Sequence, residues 1–161
     1  MTRQSAVNVA RRLVLVVDDA ADMRDLIEEL LSEQGYEVMK ASSGVHALDL
    51  LAARVPDVVI TDLLMPGMDG FALRAEMLRR PELAEVPVIV LSSFWQRPSE
   101  TLDAVDVIGK PLDMERLLRA VRLATAPDAT QQPAPAPGLA ERPTGRTHGR
   151  RRDARRVQQE A

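Results

Sequence analysis

Cysteine is absent from all 161 residues. That excludes disulfides and thiolate metal sites, and it suits a reducing, cytoplasmic setting. Aromatic residues are scarce: Tyr36, Phe71, Phe94 and Trp95 are the only four. Any core must therefore be assembled from Leu, Val, Ile, Ala and Met. No apolar run approaches the roughly 18 residues needed to span a bilayer. The opening stretch MTRQSAVNVARR has neither the apolar segment nor the cleavage site of a signal peptide. The expectation is a cytoplasmic protein with no membrane span and, by length, one domain with room for a core.

What the chain does contain is charge and short-range periodicity. A composition 45% hydrophobic and 28% charged fits a soluble globular protein. The charge is unevenly split. Residues 1–124 hold 14 Lys+Arg against 20 Asp+Glu, a net of −6, and residues 125–161 hold 7 Arg against 4 acids, a net of +3. This reads as an acidic domain with a basic tail. The composition changes at Pro127, after which Pro, Ala, Thr and Gln dominate. Such a stretch buries too little apolar surface to offset its ordering entropy. The expected organisation is a flexible N-terminus over 1–10, a domain over 11–124, and a disordered tail over 125–161.

Five short apolar runs alternate with helical patterns. The runs are Leu13–Val17, Glu37–Ala41, Val58–Thr61, Val86–Leu91 and Asp106–Ile108. Val and Ile dominate three of them with little alternation, as in parallel strands buried on both faces. Met23, Leu26, Ile27, Leu30 and Leu31 recur at helical spacing, and that helix should stop at Gly35. Val45–Ala53 and Phe71–Arg80 read as two more helices, ended before Pro56 and by Pro81. Asp113 is placed to cap a last helix with Met114, Leu117, Leu118 and Val121 on its apolar face. The segment between Ser93 and Val105 leaves room only for a stunted helix of about two turns, over Pro98–Val105. Strand and helix alternating five times imply a doubly wound α/β fold, a five-stranded parallel sheet with helices on both faces.

In such a sheet, ligands bind beyond the carboxyl ends of the strands. Those ends read VLVVDD, VVITD, VIVLS and VIGKP, which brings Asp18, Asp19, Asp62, Ser92 and Lys110 to one rim. An aspartate after a strand is most often a turn former; it is the set that carries meaning. Three carboxylates held close together repel unless something positive joins them. Oxygen ligands without His or Cys favour a hard cation, and Mg²⁺ is the usual one that also accepts phosphate oxygens. A carboxylate beside Mg²⁺ and an ammonium can attack phosphorus to give an aspartyl phosphate. Lys110 would neutralise the phosphoryl oxygens and Ser92 would donate to one of them. Gly67 and Gly70 serve the tight loop after Asp62.

The motifs VLVVDD, DVVITDLLMPGMDG, PVIVLSS and GKP, in this order, resemble the receiver domain of two-component response regulators over roughly residues 11–124. The resemblance implies a 2-1-3-4-5, flavodoxin-like strand order. It implies that Asp62 is the phosphoacceptor and that Asp19, Asp62 and the backbone carbonyl of Leu64 bind Mg²⁺ directly, with Asp18 acting through water. Ser92 matches the switch hydroxyl, Lys110 the phosphate-pairing lysine, and Pro111 follows a cis peptide bond in the family. The implied protein is a stand-alone phosphorelay receiver rather than a turnover enzyme. It would take its phosphoryl group from a histidine kinase or a phosphotransfer protein and signal through contacts with a downstream protein.

In the family two positions couple phosphorylation to surface change: here Ser93 stands where the usual residue is small, and Val107 stands in place of the usual aromatic. Without a ring at 107, the common rotamer switch cannot operate as it does elsewhere, and ordering of the Ser92–Val105 segment, with Phe94 and Trp95, is the expected substitute. Two other functions compete. An Mg²⁺-dependent phosphohydrolase with an Asp nucleophile generally needs a general acid two residues on, where this chain has Leu64. Nucleic-acid binding through the seven tail arginines lacks the stacking aromatics that single strands call for. His46 and His148 have no ligand partner at metal spacing.

Overall fold

The strands set the architecture, and the residues that form them explain their depth. β1 (Leu13–Val17), β3 (Val58–Asp62) and β4 (Val88–Ser92) are buried at every position. β2 (Glu37–Ala41) and β5 (Asp106–Gly109) are only partly so. This is a computed structural model that describes residues 11–93 and 104–127. All pairings are parallel and the strand order is β2-β1-β3-β4-β5. The three fully buried strands are therefore the central ones. Their Val and Ile side chains suit a pleated surface covered on both sides.

Side chains alternate across the sheet, and each parity feeds a different core. Leu15, Val17, Val59, Val88 and Val90 face α2 (Gly44–Ala53), α3 (Gly70–Leu78) and the single turn α4 (Pro81–Ala84), meeting Leu51, Leu73, Met77 and Leu83. Val14, Val16, Val58, Ile60, Ile89, Leu91 and Ile108 face α1 (Ala21–Glu33) and α5 (Met114–Ala124), meeting Ile27, Leu31, Leu117 and Val121. Neither core group includes an aromatic side chain; the ring of Tyr36 packs at the margin of the second.

Helix ends follow local chemistry. The Ser43, Asp69 and Asp113 side chains accept from the N–H groups of His46, Ala72 and Arg116, satisfying donors the first turn leaves unpaired. The chain leaves α1 through Gly35, whose φ of +88° is readily adopted only without a Cβ. The turn α4 was not expected. Pro81 closes α3 and also occupies the first position of the next turn, where its missing N–H costs nothing. Buried Arg74 holds this region, donating to the carbonyls of Val86 at 3.2 Å and Ala84 at 3.3 Å.

The folded unit reaches slightly past Ala124. Thr125 is buried, donates to the Val121 carbonyl at 2.9 Å, and lies 3.3 Å from the Tyr36 hydroxyl. The helix expected over 98–105 falls mostly outside the described residues, as do the N-terminus to residue 10, Phe94, Trp95 and the tail from residue 128. Ala104 and Val105 are described and are not helical; they lead directly into β5. No helix among the described residues is long and apolar enough to cross a membrane.

Candidate functional site

The strand order reverses between β1 and β3, because β2 lies on one side of β1 and all later strands lie on the other. A crevice at the carboxyl edge follows from that reversal. Asp18 directly follows β1 and Asp62 ends β3, so the two carboxylates flank the crevice. Both continue the parity that buries Val16 and Ile60, and Lys110 continues that of Ile108 on β5. The twofold period thus delivers two acids and an ammonium to the same side of the rim.

Their distances are short. Lys110 Nζ lies 3.1 Å from Asp18 Oδ2 and 3.4 Å from Asp62 Oδ1. Asp18 has no exposed surface, and its other oxygen accepts from the Ala20 N–H at 2.9 Å. The main chain of Asp18 is held on both sides: its N–H donates to the Ala41 carbonyl at 3.2 Å, and its carbonyl accepts from Arg24 Nη1 at 2.6 Å. Asp19 follows in the loop and is exposed. Asp18, Asp19 and Asp62 each offer one oxygen, and these oxygens lie within 4.8 Å of one another. Two ligands across a hard cation sit roughly 4–5 Å apart, so this all-carboxylate set fits one such ion.

Burial pushes the Asp62 carboxyl above its ordinary range; the Lys110 ammonium pulls the other way, and the Asp18 charge adds to the rise. For Lys110, burial works against the charged form, but the hydrogen bond and charge of Asp18, with Asp62 behind them, hold its pKa above the ordinary value. Both shifts fit a partly desolvated pocket in which two carboxylates share one ammonium.

The loop after β3 is shaped by two glycines. Gly67 has a φ of +78°. A Cβ on Gly70 would stand 2.7 Å from the Asp62 carbonyl oxygen, so α3 could not start so close to the strand with any larger residue. Leu64 lies on this loop with its side chain half exposed. Ser92 is buried at the end of β4, and its carbonyl accepts from the Lys110 N–H at 2.8 Å. The Lys110–Pro111 peptide is cis.

A family model described as the response regulator receiver domain matches residues 14–122. This chain belongs to that family. It is a receiver of two-component signal transduction. Among curated proteins it is 31% identical over 115 residues to sporulation initiation phosphotransferase F of Bacillus subtilis, covering 68% of this chain and 90% of that one. It is 30% identical over 117 residues to protein PilH of Pseudomonas aeruginosa, covering 70% and 97%. Of longer relatives it spans only a part, such as 26% of the response regulator PleD of Caulobacter vibrioides. Among solved structures, chemotaxis protein CheY4 of Vibrio cholerae superposes with a TM-score of 0.67 at 28% identity, covering 71% of this chain and 99% of that one.

In this receiver the structure brings Asp18, Asp19, Asp62 and Lys110 together and sets Ser92 at the end of the strand next to Asp62. Ser93 is exposed, and Val107 packs against the core on the α2–α3 side of the sheet. One contact at the site was not foreseen: Arg24 lies within α1, six residues after Asp18, and nothing in its spacing signals that it folds back to the Asp18 carbonyl.

Proposed function

We propose that Asp62 accepts a phosphoryl group from the phosphohistidine of a histidine kinase or phosphotransfer protein. The observation that carries this reading is the half-neutralised carboxylate itself. Asp62 sits at a strand end, 3.4 Å from an ammonium and within ion-bridging distance of two more acids. An Asp62 oxygen forms the new bond to phosphorus, the phosphorus–nitrogen bond of the donor breaks, and the imidazole keeps the electron pair. Lys110 pairs with the oxygens that arrive, exchanging part of its contact with Asp18 for them. Ser92 donates its hydroxyl to one of these oxygens. Asp19, Asp62 and the Leu64 carbonyl would hold Mg²⁺ directly, with Asp18 acting through water. Bound Mg²⁺ would supply the positive charge that lets an anionic donor approach three acids.

The protein acts as a phosphoacceptor in a relay, and its output is a contact with another protein. The test is phosphorylation by acetyl phosphate with and without Mg²⁺, read by intact-mass spectrometry. One labile phosphate should appear on the wild type only with Mg²⁺, and none on Asp62→Asn. Equal labelling of Asp62→Asn would refute the assignment.

A further inference from the structure

We infer that Arg24 is a positioning residue for the cation pocket, acting by pinning the main chain of the Asp18–Ala20 turn. The inference rests on the reading that this pocket binds Mg²⁺. Among the described residues this turn carries two of the pocket's three acids, and those two differ in restraint. The Asp18 side chain is fixed by Lys110 and by the Ala20 N–H. Asp19 is exposed, so its place depends on the main chain to either side. That main chain has two anchors at Asp18. The N–H is tied to the Ala41 carbonyl on β2 at 3.2 Å, and the carbonyl is tied to Arg24 Nη1 at 2.6 Å. The Asp18 carbonyl belongs to the peptide unit that includes the nitrogen of Asp19, so Arg24 sets the plane from which the Asp19 side chain departs.

α1 is built in a way that makes this contact necessary. Its N-cap, Ala20, has no side chain to cap the first turn. The Asp18 carboxylate partly substitutes by accepting from the Ala20 N–H. Arg24 joins the helix to the turn from the other direction. Its own N–H bonds the Ala20 carbonyl at 3.2 Å while its guanidinium reaches back to Asp18. Groups that orient a metal ligand commonly change metal affinity by about 10- to 100-fold when removed.

The alternative role for Arg24 is charge alone, and the two roles predict opposite signs. A guanidinium held against the Asp18 carbonyl adds positive charge beside the turn and so opposes the arrival of a second cation. If Arg24 only supplied charge, removing it would tighten Mg²⁺ binding. If it pins the turn, removing it weakens binding despite the lost repulsion.

The experiment is calorimetric titration of Mg²⁺ into full-length, chelator-stripped protein. Arg24→Met keeps the length while deleting donor and charge, and it should bind Mg²⁺ roughly tenfold more weakly than wild type. Arg24→Lys keeps a donor and the charge, and it should recover to within about threefold. Thermal midpoints in chelator should fall by no more than about 5 °C for either. Should Arg24→Met fail to fold, Arg24→Gln, neutral and too short to reach the carbonyl, must show the same weakening. Unchanged or tighter binding by the Met or Gln variant, with normal binding by wild type, overturns the pinning role and leaves the cation site standing. Absence of Mg²⁺ binding by wild type overturns the cation site and the inference with it.

Discussion

From Val14 to Val17, and from Val58 to Ile60, the sheet is apolar and wholly buried. At Asp18 and Asp62, one or two residues further along the same strands, it holds buried carboxylates. The backbone hydrogen bonding hardly changes across this boundary, since Asp62 still pairs in register with Leu91. What changes is the sign of each side chain's contribution. Apolar side chains in the middle of the sheet stabilise by leaving water. The acids at the rim lose hydration and gain back one shared lysine and a few main-chain N–H donors. A well-filled interior directly beneath offsets the cost of this acidic rim.

The largest predicted effect attacks the interior. Ile60→Ala removes a fully buried side chain between α1 and α5. It should destabilise the domain by about 2–5 kcal/mol, measured by urea unfolding. Its effect on Mg²⁺ affinity should be small where the variant remains folded.

Lys110→Met comes next, because it leaves Asp18 and Asp62 facing each other without their shared cation. A loss of about 1–3 kcal/mol in chelator is expected, below the figure for a fully buried pair because the rim is partly wet. Added Mg²⁺ should restore part of it, which would not happen after a loss of core packing.

Asp62→Asn should act in the opposite direction and sharpen the contrast most. Burial raises the pKa of Asp62 above its ordinary 3.8. Between 3.8 and the raised value the folded state keeps a proton that the unfolded state has lost. Native stability therefore declines as pH climbs through that window and levels off above it. The Asn variant has no such proton to lose. In chelator its thermal midpoint should exceed that of wild type by roughly 2–6 °C at neutral pH, and the gap should close as pH falls towards 4. A midpoint below wild type at pH 7 would show that the Lys110 contact outweighs the burial.

The smallest effect is expected far from the rim. Glu37 and Arg54 form an exposed pair between β2 and the end of α2. Glu37→Gln should shift the midpoint by no more than about 2 °C.

Much of this was legible in the residues. Short apolar runs marked all five strands, most plainly the three rich in Val and Ile, since a strand buried on both faces leaves little room for polar positions. Met23 to Leu31 marked α1 through its spacing, and Asp113 marked the start of α5. The strand-end acids and Lys110 stood out because ionisable groups follow apolar runs there. α4 was not legible: four residues are too few to show a period, and Pro81 reads equally well as the end of α3. Arg74 was not legible either. An arginine on a helix reads as solvent-facing, and only the packing of α3 against the chain entering β4 buries it.

The sequence by itself determined which segments become strands and which residue types stand at their carboxyl ends, because both follow from local runs and a period of two. That β1 lies between β2 and β3 was implied only by the family resemblance of the motifs; physically it is a tertiary choice, and it sets the distances at which Asp18 meets Asp62 and a lysine 92 positions away. Tertiary structure also decided that Arg24 turns back to the Asp18 carbonyl. The physical reason is that parallel neighbours are joined by crossover helices, so strand order is settled by which apolar faces the helices can cover. No run of residues along the chain encodes that choice locally.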